Sequence, residues 1–383
     1  MPFFLAFKEI IRNKGRFFSV VIVVALITML VLFINGLAEG LGTGNRQFIE
    51  NLNADLLIYQ DNADLAIPAS AVGRSLLNDI RRTPGVASAG PIGFSSTTII
   101  SNGVYEALDV SLIGVEPGQP GEPAVLRGTQ LRTSRGNEAI IDRNVADRIG
   151  LQVGDSFTIS VTQGAREEQY TLTVVGVTTG QQYSILPSII VPFLTWDRVR
   201  PTPNPGASGE LISNVVAVRL SNPAQAEAVT AELYRRISTI EAVDLKTAYQ
   251  NTPGYTAQQG TLDTQRAFTL VIGVLVVGGF FQIQTIQKVP QIGVLKAIGT
   301  PNGVIAVTSM VQIILVMLFG VLAGAAITFG LGLALPPVVP IIFTPISFVT
   351  TIVSLLLMGP IGGLVAVRKA LSVEPLTALG LGA

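Results

Sequence analysis

The chain of 383 residues has no cysteine and no histidine. Without cysteine no disulfide can staple any part of it, so a water-facing region must be large enough to hold its own core. Without histidine the commonest general base and the commonest metal ligand are both missing, which leaves Glu, Asp, Tyr, Lys or Met for any catalysis or metal contact. No Gly-rich loop ends in Gly-Lys-Ser/Thr, so the chain cannot draw on nucleotide energy by itself. A serine nucleophile would have only a Ser-Lys pairing open to it, and nothing marks one. Acidic residues are almost confined to the stretch from Glu39 to Asp263, and beyond Asp263 only Glu374 remains. A net charge of zero argues against a nucleic-acid partner.

What is abundant is apolar: 49% of residues are hydrophobic and 13% are charged. A basic amphipathic segment, 1–16, carries Lys8, Arg12, Lys14 and Arg16, and basic charge beside a span predicts a cytoplasmic N-terminus. The uncharged run that follows is long enough to cross ~30 Å of hydrocarbon, and with its outer extension it makes a first span over 17–45. A cleaved signal peptide is the rival reading, because Gly36 and Ala38 imitate a cleavage site. The apolar core exceeds the ~7–15 residues of such leaders, which favours a retained helix. A second span, 263–288, is apolar in its outer part and carries Gln282, Gln284 and Gln287 before Lys288. A third covers 303–335, an uncharged outer turn 336–345, and a fourth 346–367, followed by Arg368 and Lys369 in a tail 368–383. This arrangement puts both termini and the segment 289–302 on the basic, cytoplasmic side and the region 46–262 outside.

That outer region reads as α+β. ADLLIYQ is a strand pattern, 69–82 an amphipathic helix, and 86–101 a strand with Gly and Pro punctuation. NEAIIDRNVADRIGLQVGDSFTISV and EEQYTLTVVGVTTG give strand, short helix, a Gly-Asp turn and paired strands. SNVVAVRLSNPAQAEAVTAELYRRI makes a βα unit, and RVRPTPNPGASG a surface loop. Asp142 with Asp147, and Glu167 with Glu168, read as solvated surface charge. The expected fold is an α-helical membrane protein with four transmembrane helices and a large extracellular α+β domain inserted between helices one and two.

Two places carry candidate function. KVPQIGVLKAIGTPN is too short to span, and Ile292, Leu295 and Ile298 recur at helical spacing as one apolar face ending at Gly299. A short helix at the membrane surface can seat a free face in a partner's groove. Lys288, Gln291, Leu295, Lys296 and Ile298 are its candidate contacts. The second place is Glu39, the only carboxylate at the outer end of the first span, with Asn35 and Arg46 spaced to share its face. It reads either as an interfacial carboxylate solvated at the membrane edge or as a ligand contact open to the outer leaflet. Met29, Phe33 and Phe48 read as packing or lipid-facing residues. Gly36, Gly40 and Gly44, and Gly320 with Gly324, have the spacing that lets helices approach closely, within the chain or across a homodimer axis.

One outer domain between span one and spans two to four, the QIGVLKAIGTP segment and a terminal RKALSVEPLTALG resemble the FtsX-like or MacB-like permeases of ABC transporters. GLQVGDSFTISV and YTLTVVGVTTG are similar to that family's extracellular core domain. The short N-terminus, the size and FINGLAEGLG are most similar to the DevC-like subgroup, and within it to the permease of a haem efflux pump. The resemblance implies a MacB-like (type VII) permease that is itself no enzyme, a homodimer in the cytoplasmic membrane paired with two copies of a separate ABC ATPase. ATP is then bound by the partner, and 289–302 transmits its motion. Many family members carry an acidic residue where this chain has Gln291. The resemblance also implies haem as transported substrate, taken from the outer leaflet, with Glu39 as axial ligand to the haem iron and Arg46 at a propionate. A carboxylate oxygen is a hard, weak ligand for Fe(III), suited to release as well as capture. In a twofold dimer two Glu39 side chains would face one cleft. A glycolipid, lipoprotein or peptide cargo keeps the same fold without needing Glu39. A transmembrane signaller controlling a cell-wall hydrolase and a stand-alone membrane-anchored binding protein are the readings from other classes.

Overall fold

The computed structural model describes residues 8, 12, 14–100, 106–183, 185–202, 210–335 and 341–371. The rest of the basic segment 1–13, the loop 203–209, the first half of the outer turn at 336–340 and the tail 372–383 lie outside the described residues. The chain divides into two compact units, one of residues 41–258 and one of residues 1–40 with 259–383.

Helix α1 (Lys14–Glu50) is continuous. In hydrocarbon a backbone can satisfy its polar groups only internally, so the apolar run has no alternative to a helix. The outer unit then alternates strands and short helices. They are β1 (Leu56–Gln60), β2 (Val72–Gly73), α2 (Arg74–Arg81), β3 (Val86–Ile99), β4 (Leu108–Val115), β5 (Arg127–Gly128) and β6 (Glu138–Asp142). After these come α3 (Arg143–Ile149), β7 (Ser156–Gln163), β8 (Arg166–Thr178), β9 (Ser188–Pro192), α4 (Phe193–Val199), β10 (Ile212–Ser213) and β11 (Val215–Leu220). The unit ends with α5 (Ala226–Arg236), β12 (Ile240–Asp244) and α6 (Leu245–Gln250). The expected helix over 69–82 is only α2, because Pro68 opens a 3-10 turn and Val72–Gly73 pairs with β10 instead.

The main sheet runs β12-β1-β11-β3-β4-β9-β6-β8-β5, and β7 pairs with both β3 and β8. Pairing from β3 through β4, β9, β6, β8 and β7 therefore returns to β3 as a closed ring, which leaves those strands few free edges. Alternate residues of these strands, among them Ile99, Leu112, Ile141, Phe157, Leu172 and Ile189, meet in one core. Trp196 of α4 lies across β3 and β4 where Gly93 and Gly114 leave room; a Cβ at Gly114 would stand 2.5 Å from its Cγ. The indole Nε1–H donates to Ser95 Oγ at 3.0 Å. At the other end of the sheet Leu56 and Ile58 face a core with Leu77, Ile80, Val229 and Leu233 of α2 and α5. Leu57 and Tyr59 point to the opposite face, where Phe48 and Ile49 at the end of α1 complete a second core. The outer unit accordingly begins at residue 41 and not at 46, because the last turns of α1 are part of its core.

The remaining helices are α7 (Tyr255–Gln287), α8 (Val289–Ala297), α9 (Asn302–Ala334) and α10 (Pro345–Leu371). Among the described residues α1, α7, α9 and α10 are each long and apolar enough to cross a membrane. Helix α7 starts well before 263, since the polar sequence from Tyr255 keeps helical hydrogen bonding. Small residues set the packing. A Cβ on Gly320 would fall 2.5 Å from Val24, and one on Gly324 2.5 Å from the Ala25 carbonyl oxygen, so this pair receives α1 of the same chain. Gly278 of α7 meets Gly362 of α10 backbone to backbone. Large side chains left uncovered, such as Phe268, Ile272 and Leu275 on α7, suit contact with acyl chains.

Candidate functional site

Helix α8 is bounded on both sides by local chemistry. Lys288 stands at its N-cap and Pro290 in its first turn, where a missing N–H costs nothing. Gly299, at φ +89°, ends it: Thr300 N–H donates to Leu295 O at 3.0 Å and Gly299 N–H to Lys296 O at 2.9 Å. That is a Schellman closure, followed at once by Pro301. The apolar residues expected on one face are divided. Ile292 is buried against Ile305, Leu295 is half-buried, and Ile298 is 76% exposed. Gln291, Val294 and Ile298 form the uncovered face, while a groove of about 440 Å³ lies between α8 and the start of α9, lined by Gln291, Leu295, Ile298, Thr300 and Val304.

Lys288 also lines that groove, and both lysines of the segment reach back to the helix bundle. The Lys288 ammonium donates to Gln312 Oε1 on α9 at 3.2 Å and lies 5.4 Å from the ring centroid of Phe17 on α1. Lys296 Nζ donates to the Leu371 carbonyl at the end of α10 at 2.8 Å. Both cations thus bind α8 to the helix bundle. Gln284, one turn before Lys288, is buried with no hydrogen-bond partner for its Nε2. Phe17 escapes a reading of the sequence because it lies far from 289–302 along the chain, and Gln312 because only the packing of α9 turns it toward Lys288. The amide run of the second span was the only hint of a polar seam.

Glu39 is half-buried on α1. Asn35, one turn earlier, is buried and donates through Nδ2 to Thr351 Oγ1 at 2.7 Å, so its amide is engaged by α10. Gly36 allows the same approach: its carbonyl accepts from Ile342 N–H at 3.0 Å. Arg46 lies two turns beyond Glu39 on the same helix, with its Nε 3.4 Å from Glu50 Oε2. Among the described residues no three acidic side chains cluster where a metal ion would sit.

Phe48 packs with Phe94 and Tyr183 at ring-centroid distances of 5.1 and 6.2 Å, and burial pushes the Tyr183 hydroxyl up to about 12. The loop bearing Tyr183 is tied to the turn that follows α1 by Asn51 Nδ2 donating to Gly180 O at 2.7 Å, and to β6 by Gln181 N–H donating to Asp142 Oδ2 at 3.0 Å. Asp142 is therefore no solvated surface charge. It is fully buried, also caps α3 by accepting from Asn144 N–H at 2.8 Å, and burial raises its carboxyl above the usual range.

Four helices long and apolar enough to span, joined to an α+β domain inserted after the first, define a membrane protein with an outer domain. Residues 17–236, more than half the chain, match the MacB-like periplasmic core domain, and 267–375 match the FtsX-like permease C-terminal region. The chain belongs to the MacB-like, FtsX-like family of ABC transporter permeases, the type VII architecture. Over 376 residues it is 26% identical to a permease protein of Staphylococcus haemolyticus, HrtB, that bears the name of a hemin transport system, covering 98% of this chain and 99% of that one. The HrtB of a Staphylococcus epidermidis strain is 24% identical over 378 residues, covering 99% of each. An uncharacterized ABC transporter permease of Mycobacterium tuberculosis is 22% identical over 390 residues, covering 98% of this chain and 99% of that one.

Proposed function

We propose that the chain is the permease of an efflux pump that takes haem from the outer leaflet of the cytoplasmic membrane, driven by ATP hydrolysis on a separate subunit. The end-to-end similarity to proteins named for hemin transport carries the choice of cargo. Haem is here the substrate, not a resident cofactor. Glu39, the carboxylate at the outer part of α1, takes the iron as an axial oxygen ligand, and Arg46 on the same helix meets a propionate by exchanging its Glu50 partner for the ligand's carboxylate. The pump is a homodimer, so two Glu39 side chains serve one cleft. Two ATPase subunits seat the uncovered face of α8, with Gln291, Leu295 and Ile298 at the contact. Lys288 and Lys296 pass the motion inward through Gln312, Phe17 and the end of α10.

The test is a titration of the purified permease and ATPase complex with ferric haem, followed in the Soret band, for the wild type and Glu39→Ala. The expected result is a shifted band and haem-stimulated ATPase activity in the wild type, both lost in the variant. A wild type that binds no haem overturns the cargo and leaves the glycolipid, lipoprotein or peptide reading. Equal spectra for the two forms overturn Glu39 as the ligand.

A further inference from the structure

A second concave surface, distinct from the α8 groove, lies on the helix bundle. It is a groove of about 460 Å³ formed by Lys14, Gly15, Phe17, Phe18 and Val21 of α1 and by Val316 and Phe319 of α9. Apart from Lys14 its walls are hydrocarbon, and Phe18 and Phe319 are 64% and 58% exposed at its rims. The groove exists because Gly320 and Gly324 draw α1 onto α9 further along, while Gly15 leaves the near end open: no atom lies within 4 Å of a Cβ placed there.

We infer that this groove binds an anionic phospholipid, with an acyl chain along Phe17, Val21, Val316 and Phe319 and the headgroup phosphate at Lys14. The surface belongs to a membrane-spanning helix pair, so its surroundings are acyl chains. An ammonium at the end of a span recognises phosphate as a point charge. A zwitterionic lipid fills the same groove but offers Lys14 no net negative charge. Phe17 gives the site its consequence. Phe17 is among the groove's lining residues although only 3% exposed, and the Lys288 ammonium that donates to Gln312 lies 5.4 Å from its ring centroid. A chain seated in the groove holds Phe17 against that joint. The inference rests on the membrane placement of the four helices alone and needs neither haem nor the ATPase.

Native mass spectrometry of the purified full chain, delipidated and then offered phosphatidylglycerol or phosphatidylcholine, tests it. The expected result for the wild type is retention of phosphatidylglycerol in excess of phosphatidylcholine. Lys14→Gln removes the excess and leaves the two lipids equal. Gly15→Trp fills the groove from an unobstructed position and removes retention of both, with thermal unfolding unchanged to show that the fold stands. Equal retention of the two lipids by the wild type, or full retention by Gly15→Trp, overturns the inference. The absence of native cysteine allows one further arm: efficient disulfide pairing between two chains of Gly15→Cys in membranes would make the groove an interface between copies and also overturn it. A Soret titration of Gly15→Trp keeps this test separate from that of the cargo: the expected result is the wild-type response to haem.

Discussion

At the scale of single residues, Asp142 and Lys288 show how little a charge's surroundings are announced by its neighbours in the chain. Asp142 sits in a sequence rich in surface charge, yet it is buried and accepts from Asn144 and Gln181. Its carboxyl is raised by burial, so the folded state holds the proton more tightly than the unfolded chain. Its contribution to stability is greatest below the unfolded pKa, falls as pH rises through the raised folded value, and is constant above it. Asp142→Asn cannot ionise, so its Tm relative to wild type should climb across that window; a difference that stays flat from about pH 4 to pH 8 would show that the group titrates normally. Lys288→Met keeps the packing on Phe17 and loses the bond to Gln312. It should cost about 1 kcal/mol in thermal stability and lower substrate-stimulated ATPase activity while the ATPase still copurifies. Loss of copurification would return Lys288 to the partner-facing surface.

At the scale of elements, α8 is the informative case. Its boundaries follow from Pro290 and Gly299, both legible in the sequence, because one φ constraint opens the helix and one left-handed residue closes it. Its orientation was not legible, since a helix flanked by others on several sides cannot be read from a single apolar stripe. Ile292 turned inward and Ile298 outward. Ile298→Asp should leave the permease folded and reduce ATPase copurification about tenfold; undiminished assembly would remove this face from the coupling surface. Gly299→Val forces a β-branched residue into the left-handed region at a cost of about 1–2 kcal/mol, and the expected result is weakened coupling with the bundle still folded. Helix α1 teaches the converse lesson. Gly320→Leu should prevent α9 from closing on Val24, destabilising the chain by about 1–3 kcal/mol in a thermal melt. An unchanged melt would mean that this contact is not tight.

At the scale of the molecule, the absence of cysteine makes the topology directly testable. A cysteine at exposed Ser221 in the outer unit should react with a membrane-impermeant maleimide on intact cells, whereas Ile298→Cys should react only after permeabilisation. Labelling of both in intact cells would reverse the arrangement. The sequence by itself determined the number of spans, the inserted α+β domain and the position of the short helix along the chain. Each of these follows from local quantities: run length against bilayer thickness, apolar period, turn residues, and the spacing of basic charge. Only the tertiary structure decided which side chains meet. The ring of strands closed by β7, the glycines that admit α1 and Trp196, the Lys288 bond to Gln312 and the burial of Asp142 all join residues distant in the chain. Such contacts depend on how faces are presented after packing, and a linear pattern specifies that a face is apolar without specifying what covers it.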